Sequence, residues 1–184
     1  MHSLAGSSVL IRPSTEADLP AITNIYAEAV RHGTGTFELE PPGLEEIAQR
    51  RQDVLAKNLP WLVAEVGGQV LGYAYANHFR PRLAFRFCVE DSVYLHPDAR
   101  SRGLGSLLLT ELMARCEAAG ARQMVAVIGD SANAGSVALH KRLGFEHSGV
   151  LSQVGWKFER WLDVVLMRRS LGWGERTPAQ DGLA

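Results

Sequence analysis

Glu90-Asp91-Ser92-Val93-Tyr94-Leu95-His96-Pro97-Asp98-Ala99-Arg100-Ser101-Arg102-Gly103-Leu104-Gly105-Ser106 is the stretch from which the rest of the chain can be read. Val93, Tyr94 and Leu95 favour a strand, and Pro97-Asp98 is turn chemistry that ends it. Gly103 and Gly105 lead into an apolar-periodic run that starts at Leu104. The first amides of a helix have no internal partner, and glycine lets a ligand approach the backbone closely. With the helix dipole, such a junction favours an anion, most often a phosphate. At the upstream end of the same strand stands an acidic pair, Glu90 and Asp91. In a regular strand these two point to opposite faces, so they cannot serve one task equally.

Downstream, Leu104, Leu107, Leu108, Leu112, Met113 and Cys116 make an amphipathic helix that closes at Ala119-Gly120. Met124 to Ile128 is nearly all apolar, as in a strand buried on both faces. A loop over 129–135 leads to a short helix from Ser136 to Leu143 with Gly144 as its cap. Phe145 to Val154 and Trp161 to Arg168 read as two last strands, joined by an aromatic and basic linker over 155–160. Upstream, Val9 to Arg12 is a strand closed by Pro13, and Ser14 or Thr15 can cap the helix carrying Leu19, Ile22, Ile25, Tyr26 and Val30. A second helix runs from Leu44 to Lys57. Trp61 to Val66, the turn Gly67-Gly68, and Gln69 to His78 form a hairpin. Phe79-Arg80-Pro81-Arg82 interrupts it, and a long strand is expected from Phe85 to Leu95. The consecutive central strands exclude a strictly alternating doubly wound fold. They predict an α/β (α+β) domain in which helices cover both faces of a mixed sheet.

Bulk properties exclude several functions. A chain of 184 residues suits one domain with a sizeable core, here residues 1–171, followed by a polar tail over 172–184 expected to fray. The net charge of −1 offers no basic field for nucleic acid or an anionic membrane. The two cysteines, Cys88 and Cys116, give neither a disulfide framework nor metal-ligand spacing. With no leader-like segment and no membrane-length apolar run, a cytoplasmic, metal-free protein is expected. A nucleotide-triphosphate loop is excluded because no Gly-Lys-Ser/Thr follows, and a dinucleotide fingerprint because the third glycine is absent.

The junction has a family resemblance. Arg100-Ser101-Arg102-Gly103-Leu104-Gly105 resembles the Arg/Gln-x-x-Gly-x-Gly/Ala signature of the GCN5-related N-acetyltransferases, and Asn133 through Phe145 is similar to their helix ending in Gly-Phe. Pro60 to Glu65, Glu90 to Tyr94, Leu139-His140 with Leu143-Gly144-Phe145, Val154 to Phe158, and Trp161-Leu162-Asp163 resemble the phosphinothricin and methionine sulfoximine acetyltransferase branch. The resemblance spans about residues 8–170. It implies a mostly antiparallel sheet, splayed at the strands that hold acetyl-CoA. It also implies a homodimer, and the aromatic linker Trp156-Lys157-Phe158 is expected to help build the interface.

What the resemblance implies can be placed residue by residue. The amides of Ser101, Arg102, Gly103, Leu104, Gly105 and Ser106, with the charge of Arg100 and Arg102, would hold the pyrophosphate. Val93 and Leu95 would pair with pantetheine beside Tyr94, and an amide near Leu95 would face the thioester carbonyl as an oxyanion donor. Asn133 is either a cofactor contact, a helix cap, or both. Glu90 is the candidate general base, because an amine attacks only when neutral, and a structural carboxylate is its alternative. Three roles stay open for His140: proton donor to the departing thiolate, helper of Glu90, or pocket lining. Phe79, Arg80, Pro81, Glu90, Asp91 and Ser92 align with the substrate-contacting segments, while Arg86 could hold a carboxylate and Phe37 and Glu38 could close the other side. The expected activity is acetyl transfer to the α-amine of a small amino acid analogue. Alternatives are another amine, such as a protein N-terminus or a polyamine, and a catalytically silent acyl-CoA-binding module.

Overall fold

The computed structural model describes residues 8–179. Seven strands form a single sheet, β1 (Val9–Pro13), β2 (Trp61–Val66), β3 (Gln69–His78), β4 (Cys88–Leu95), β5 (Gln123–Gly129), β6 (Glu146–Lys157) and β7 (Arg160–Ser170). Their spatial order is β1-β2-β3-β4-β5-β7-β6, and every neighbouring pair is antiparallel except β4 with β5. The helices are α1 (Leu19–His32), α2 (Leu44–Leu55), α3 (Leu104–Ala118) and α4 (Ala134–Arg142). The expected mixed, mostly antiparallel sheet with helices on both faces is therefore present.

Strand alternation decides which helix meets which side chain. Tyr94 of β4 meets Tyr26 of α1 edge to face at 4.9 Å and stacks on Tyr73 of β3 at 5.3 Å. Its neighbour Leu95 points the other way, where Gly72 leaves room for it and for Leu108 of α3. α1 and α2 thus cover one face, and α3 and α4 the other. The buried stripe Ile22, Ile25, Tyr26 and Val30 attaches α1 to the sheet, each aliphatic member contributing roughly 1.5–3 kcal/mol. Asp18 starts that helix under a clamp: Arg12 donates to both of its oxygens at 2.7 and 2.8 Å, holding its pKa down at about 2. Ser14 is not a cap. Its hydroxyl and carbonyl accept from Arg51, while the amide and hydroxyl of Thr15 bond Asp18.

Two expected elements are corrected. The strand expected from Phe85 begins only at Cys88, because β3 ends at His78 and the chain over 83–87 turns instead of continuing the ladder. Leu83–Phe85 instead form a 3-10 turn, with the Arg86 amide on the Leu83 carbonyl. The expected linker over 155–160 is part of a ladder, pairing Gly155 with Leu162, Trp156 with Trp161 and Lys157 with Arg160. Only Phe158 and Glu159 turn, both at positive φ (52° and 56°), a hairpin geometry that usually takes Asn-Gly. The described part of the expected tail also folds back, since Arg122 donates to the Gly174 carbonyl at 2.6 Å and to the Thr177 hydroxyl at 2.8 Å. Residues 1–7 and 180–184 of the expected domain and tail lie outside the described residues. Among the described residues, no helix is long and apolar enough to cross a membrane.

Candidate active site

Register creates the cleft. β4 pairs with β5 only from Cys88 to Asp91, opposite Gln123 to Ala126. Beyond that point β4 stays with β3 through Leu95 and Gly72, whereas β5 stays with β7 through Gly129 and Val164. The two strands part and leave backbone edges without a strand neighbour. A cleft of about 930 Å³ opens there, with Val93, Tyr94 and Leu95 on one wall and Val127, Ile128 and Gly129 on the other.

At one end lies the junction before α3. The amides of Ser101 through Gly105 have no hydrogen-bond partner among the described residues. Ser101 and Gly103 both adopt positive φ (60° and 81°), which turns this backbone into a concave run of donors. Ser106 is excluded from that set, because its amide already donates to the Gly103 carbonyl at 3.0 Å. Gly105 sits close against α4, since an added Cβ would lie 3.2 Å from Leu139 and press on that side chain. Arg100, Ser101, Gly103, Gly105 and Ser106 line the cleft. Arg102 is exposed outside it, and the Leu104 side chain belongs to a core cluster with Val66 and Ala99, so only its amide can face a ligand. This donor set and the unpaired strand edges fit a ligand that carries a pyrophosphate and an extended amide-bearing arm.

Glu90 and Ser92 occupy the other end, on the α1 face of β4, beside Tyr75. Burial raises the pKa of Glu90, the neighbouring charge of Asp91 adds to this, and the charge of Arg80 opposes it. No hydrogen bond to the Glu90 carboxylate is formed among the described residues, so it is free to receive a proton from a ligand. Asp91 lies on the opposite face, as the alternation requires, and is bonded to His140 at 2.9 Å. The other His140 nitrogen bonds the Ser136 carbonyl at 2.8 Å, and the ring meets Phe145 edge to face. Both His140 nitrogens are thus engaged within the protein, with no lone pair or proton directed at Glu90.

Not every nominated residue reaches the cleft. Phe79, Arg80 and Pro81 do not line it. The Arg80 guanidinium stacks over the Phe79 ring at 4.3 Å and donates to the Phe79 carbonyl, so it acts on Glu90 through charge alone. Glu38 also turns away, accepting from Tyr26 at 2.8 Å and Arg50 at 2.6 Å. Asn133 lines the cleft and also caps α4 by accepting from the Ser136 amide, so its two readings are compatible. The Gly33–Thr36 loop is a further wall of the cleft that the amino-acid sequence did not announce. Its only signal was turn-rich composition, and what fixes it in place is distant in the chain: an added Cβ at Gly129 would strike the Thr34 carbonyl, and one at Gly155 the Phe37 ring.

Comparisons with known proteins point to one family. The acetyltransferase (GNAT) family model matches residues 19–145. The chain is 52% identical, over 95% of its length and 88% of the relative's, to a phosphinothricin N-acetyltransferase of Alcaligenes faecalis. It is 44% identical to an L-methionine sulfoximine/L-methionine sulfone acetyltransferase of Pseudomonas aeruginosa, over 89% of this chain and 95% of that one. Among solved structures, a phosphinothricin acetyltransferase of Sinorhizobium meliloti in complex with AcCoA superposes with a TM-score of 0.92 at 46% identity, covering 95% of both chains.

Proposed function

The chain belongs to the acetyltransferase (GNAT) family, and from that premise we propose that it transfers the acetyl group of acetyl-CoA to the α-amine of a small amino acid analogue of the phosphinothricin or methionine sulfoximine type. The observation that carries the reading is the unbonded, half-buried Glu90 carboxylate, at the far end of the cleft from the amides of Ser101 through Gly105. Relatives that act on such substrates support the choice of acceptor.

When bound, acetyl-CoA supplies an acyl carbon activated as a thioester. The chain's own residues do the rest. The amides of Ser101 through Gly105, helped by Arg100, hold the pyrophosphate. Val93 and Leu95 supply the backbone edge for the pantetheine arm. The acceptor enters as an ammonium and must lose a proton before its nitrogen lone pair can attack. Glu90 takes that proton, directly or through a water, and its raised pKa makes it a better base than an ordinary surface carboxylate. His140 serves this reaction as a positioning residue, fixing Asp91 and hence the β4 backbone at the point where the strands part.

The same reading includes a homodimer and a cytoplasmic setting. β6 is one of the two edge strands of the sheet, and Trp156 and Trp161 expose more than half of their surface on its hairpin. Sedimentation equilibrium of the purified protein would test the dimer. Release of the CoA thiol from acetyl-CoA, followed against a panel of amines, tests the activity. Turnover with phosphinothricin or methionine sulfoximine, and little with polyamines or N-terminal peptides, is expected. Turnover confined to the peptides or polyamines would overturn the acceptor, and CoA binding without any turnover would leave a silent module.

A further inference from the structure

Lys157 is a lysine only 2% exposed, at the end of β6. Its ammonium donates to the Gly33 carbonyl at 2.9 Å and to the Thr36 carbonyl at 2.9 Å, and it lies 5.0 Å from the centre of the Phe158 ring. Burial pushes its pKa down, and the charge of Glu38 opposes that push. A buried ammonium costs several kcal/mol unless its donors are satisfied, and an aliphatic side chain of similar length would fill the same space without that cost. Both carbonyls that satisfy it belong to one loop, and the Gly33–Thr36 loop is a wall of the cleft.

A second feature of the hairpin acts on the same loop. Gly155, two residues earlier on the inward face of β6, has no side chain where the Phe37 ring sits, and a Cβ there would overlap the ring. Across the cleft wall, Gly129 leaves comparable room for the Thr34 carbonyl, and Gly35 approaches the Asn133 amide. From the α1 side the Tyr26 hydroxyl bonds the Thr36 hydroxyl at 2.9 Å. The loop is held by its carbonyls from one side and by a side chain from the other.

We infer that Lys157, with the space left by Gly155, is a positioning residue that sets the Gly33–Phe37 loop as the acceptor wall of the cleft, so that the β6–β7 hairpin tunes which amines fit. The inference rests on the acetyl-transfer reading of that cleft. A loop displaced by about an ångström is enough to lower productive binding severely. The Gly33 and Thr36 carbonyls without their ammonium would no longer fix it.

The test is Lys157→Met, which keeps the length of the side chain and removes its donors. Expected are a rise of about ten-fold or more in the amine KM, an acetyl-CoA KM within about two-fold of wild type, and faster hydrogen exchange at residues 34–37. A scaffold role would lower the folded fraction and leave both KM values alone. Gly155→Ala keeps Lys157 and displaces Phe37, so it decides the matter if Lys157→Met does not fold, and the same selective rise in amine KM is expected. Folded variants with wild-type amine KM and wild-type exchange at 34–37 would overturn the inference. If wild type acetylated no amine, the acceptor reading would fail, while the exchange measurement would still decide whether Lys157 holds the loop.

Discussion

The Nε2 atom of His140 lies 2.9 Å from the Oδ2 atom of Asp91, with both side chains almost wholly buried. Burial alone would push the imidazole pKa down. The hydrogen bond and charge of Asp91, with the Ser136 carbonyl, together outweigh it and hold the value above the ordinary histidine range. Because the folded pKa is raised, this contribution to stability is fully present below the unfolded value and is lost as pH rises through the raised one. Asp91→Ala leaves the imidazole without its partner and is expected to lower stability by about 3 kcal/mol at neutral pH. Urea unfolding across neutral to alkaline pH should show the gap to wild type narrowing. A gap that widens with pH would mean that the pair is not ionised as described.

Arg80 acts on Glu90 from outside the cleft. Its charge lowers the Glu90 pKa against burial and Asp91. Arg80→Met should therefore move the acid limb of the kcat/KM profile to higher pH without abolishing turnover. If Arg80 bound the substrate carboxylate, the main change would be a large rise in amine KM with the limb in place.

Gly103 begins α3 at a φ of 81°, where an L side chain costs about 1–2 kcal/mol. Gly103→Ala should lower stability by about that amount and weaken acetyl-CoA binding, measured calorimetrically, through displacement of the neighbouring amides. Unchanged CoA affinity would remove these amides from the pyrophosphate site.

Gly72 makes room for Leu95. A Cβ there would sit 2.5 Å from the Leu95 side chain and 3.2 Å from that of Leu108. Gly72→Ala should cost about 1–3 kcal/mol by overpacking and should raise the acetyl-CoA KM, since Leu95 lines the cleft. Thermal unfolding beside steady-state kinetics would separate the two effects.

Much of this was legible in the chain because the signals are local. The strand, turn and helix around Val93 to Leu104, the Gly67-Gly68 hairpin, and the opposite orientations of Glu90 and Asp91 all follow from short-range periodicity and turn chemistry. His140 and Asp91 lie 49 residues apart, and no local pattern pairs them. At the β6–β7 hairpin the hydropathy pattern is inverted, with Trp156 55% exposed and Lys157 2% exposed, and the turn at Phe158-Glu159 lacks the glycine that would announce it. The residues before Cys88 alternate like a strand, but β3 does not reach far enough to pair with them, which only the sheet could reveal.

The proposed mechanism turns on Glu90 taking the proton of the attacking amine. Steady-state thiol release by wild type and Glu90→Gln, each followed across pH with the amine at saturation, tests it most directly. Expected are a kcat lower by about 10²–10⁴-fold in Glu90→Gln, an acetyl-CoA affinity close to wild type, and loss of the acid limb that the wild-type carboxylate produces. A folded Glu90→Gln enzyme with wild-type kcat and an unchanged acid limb would contradict it.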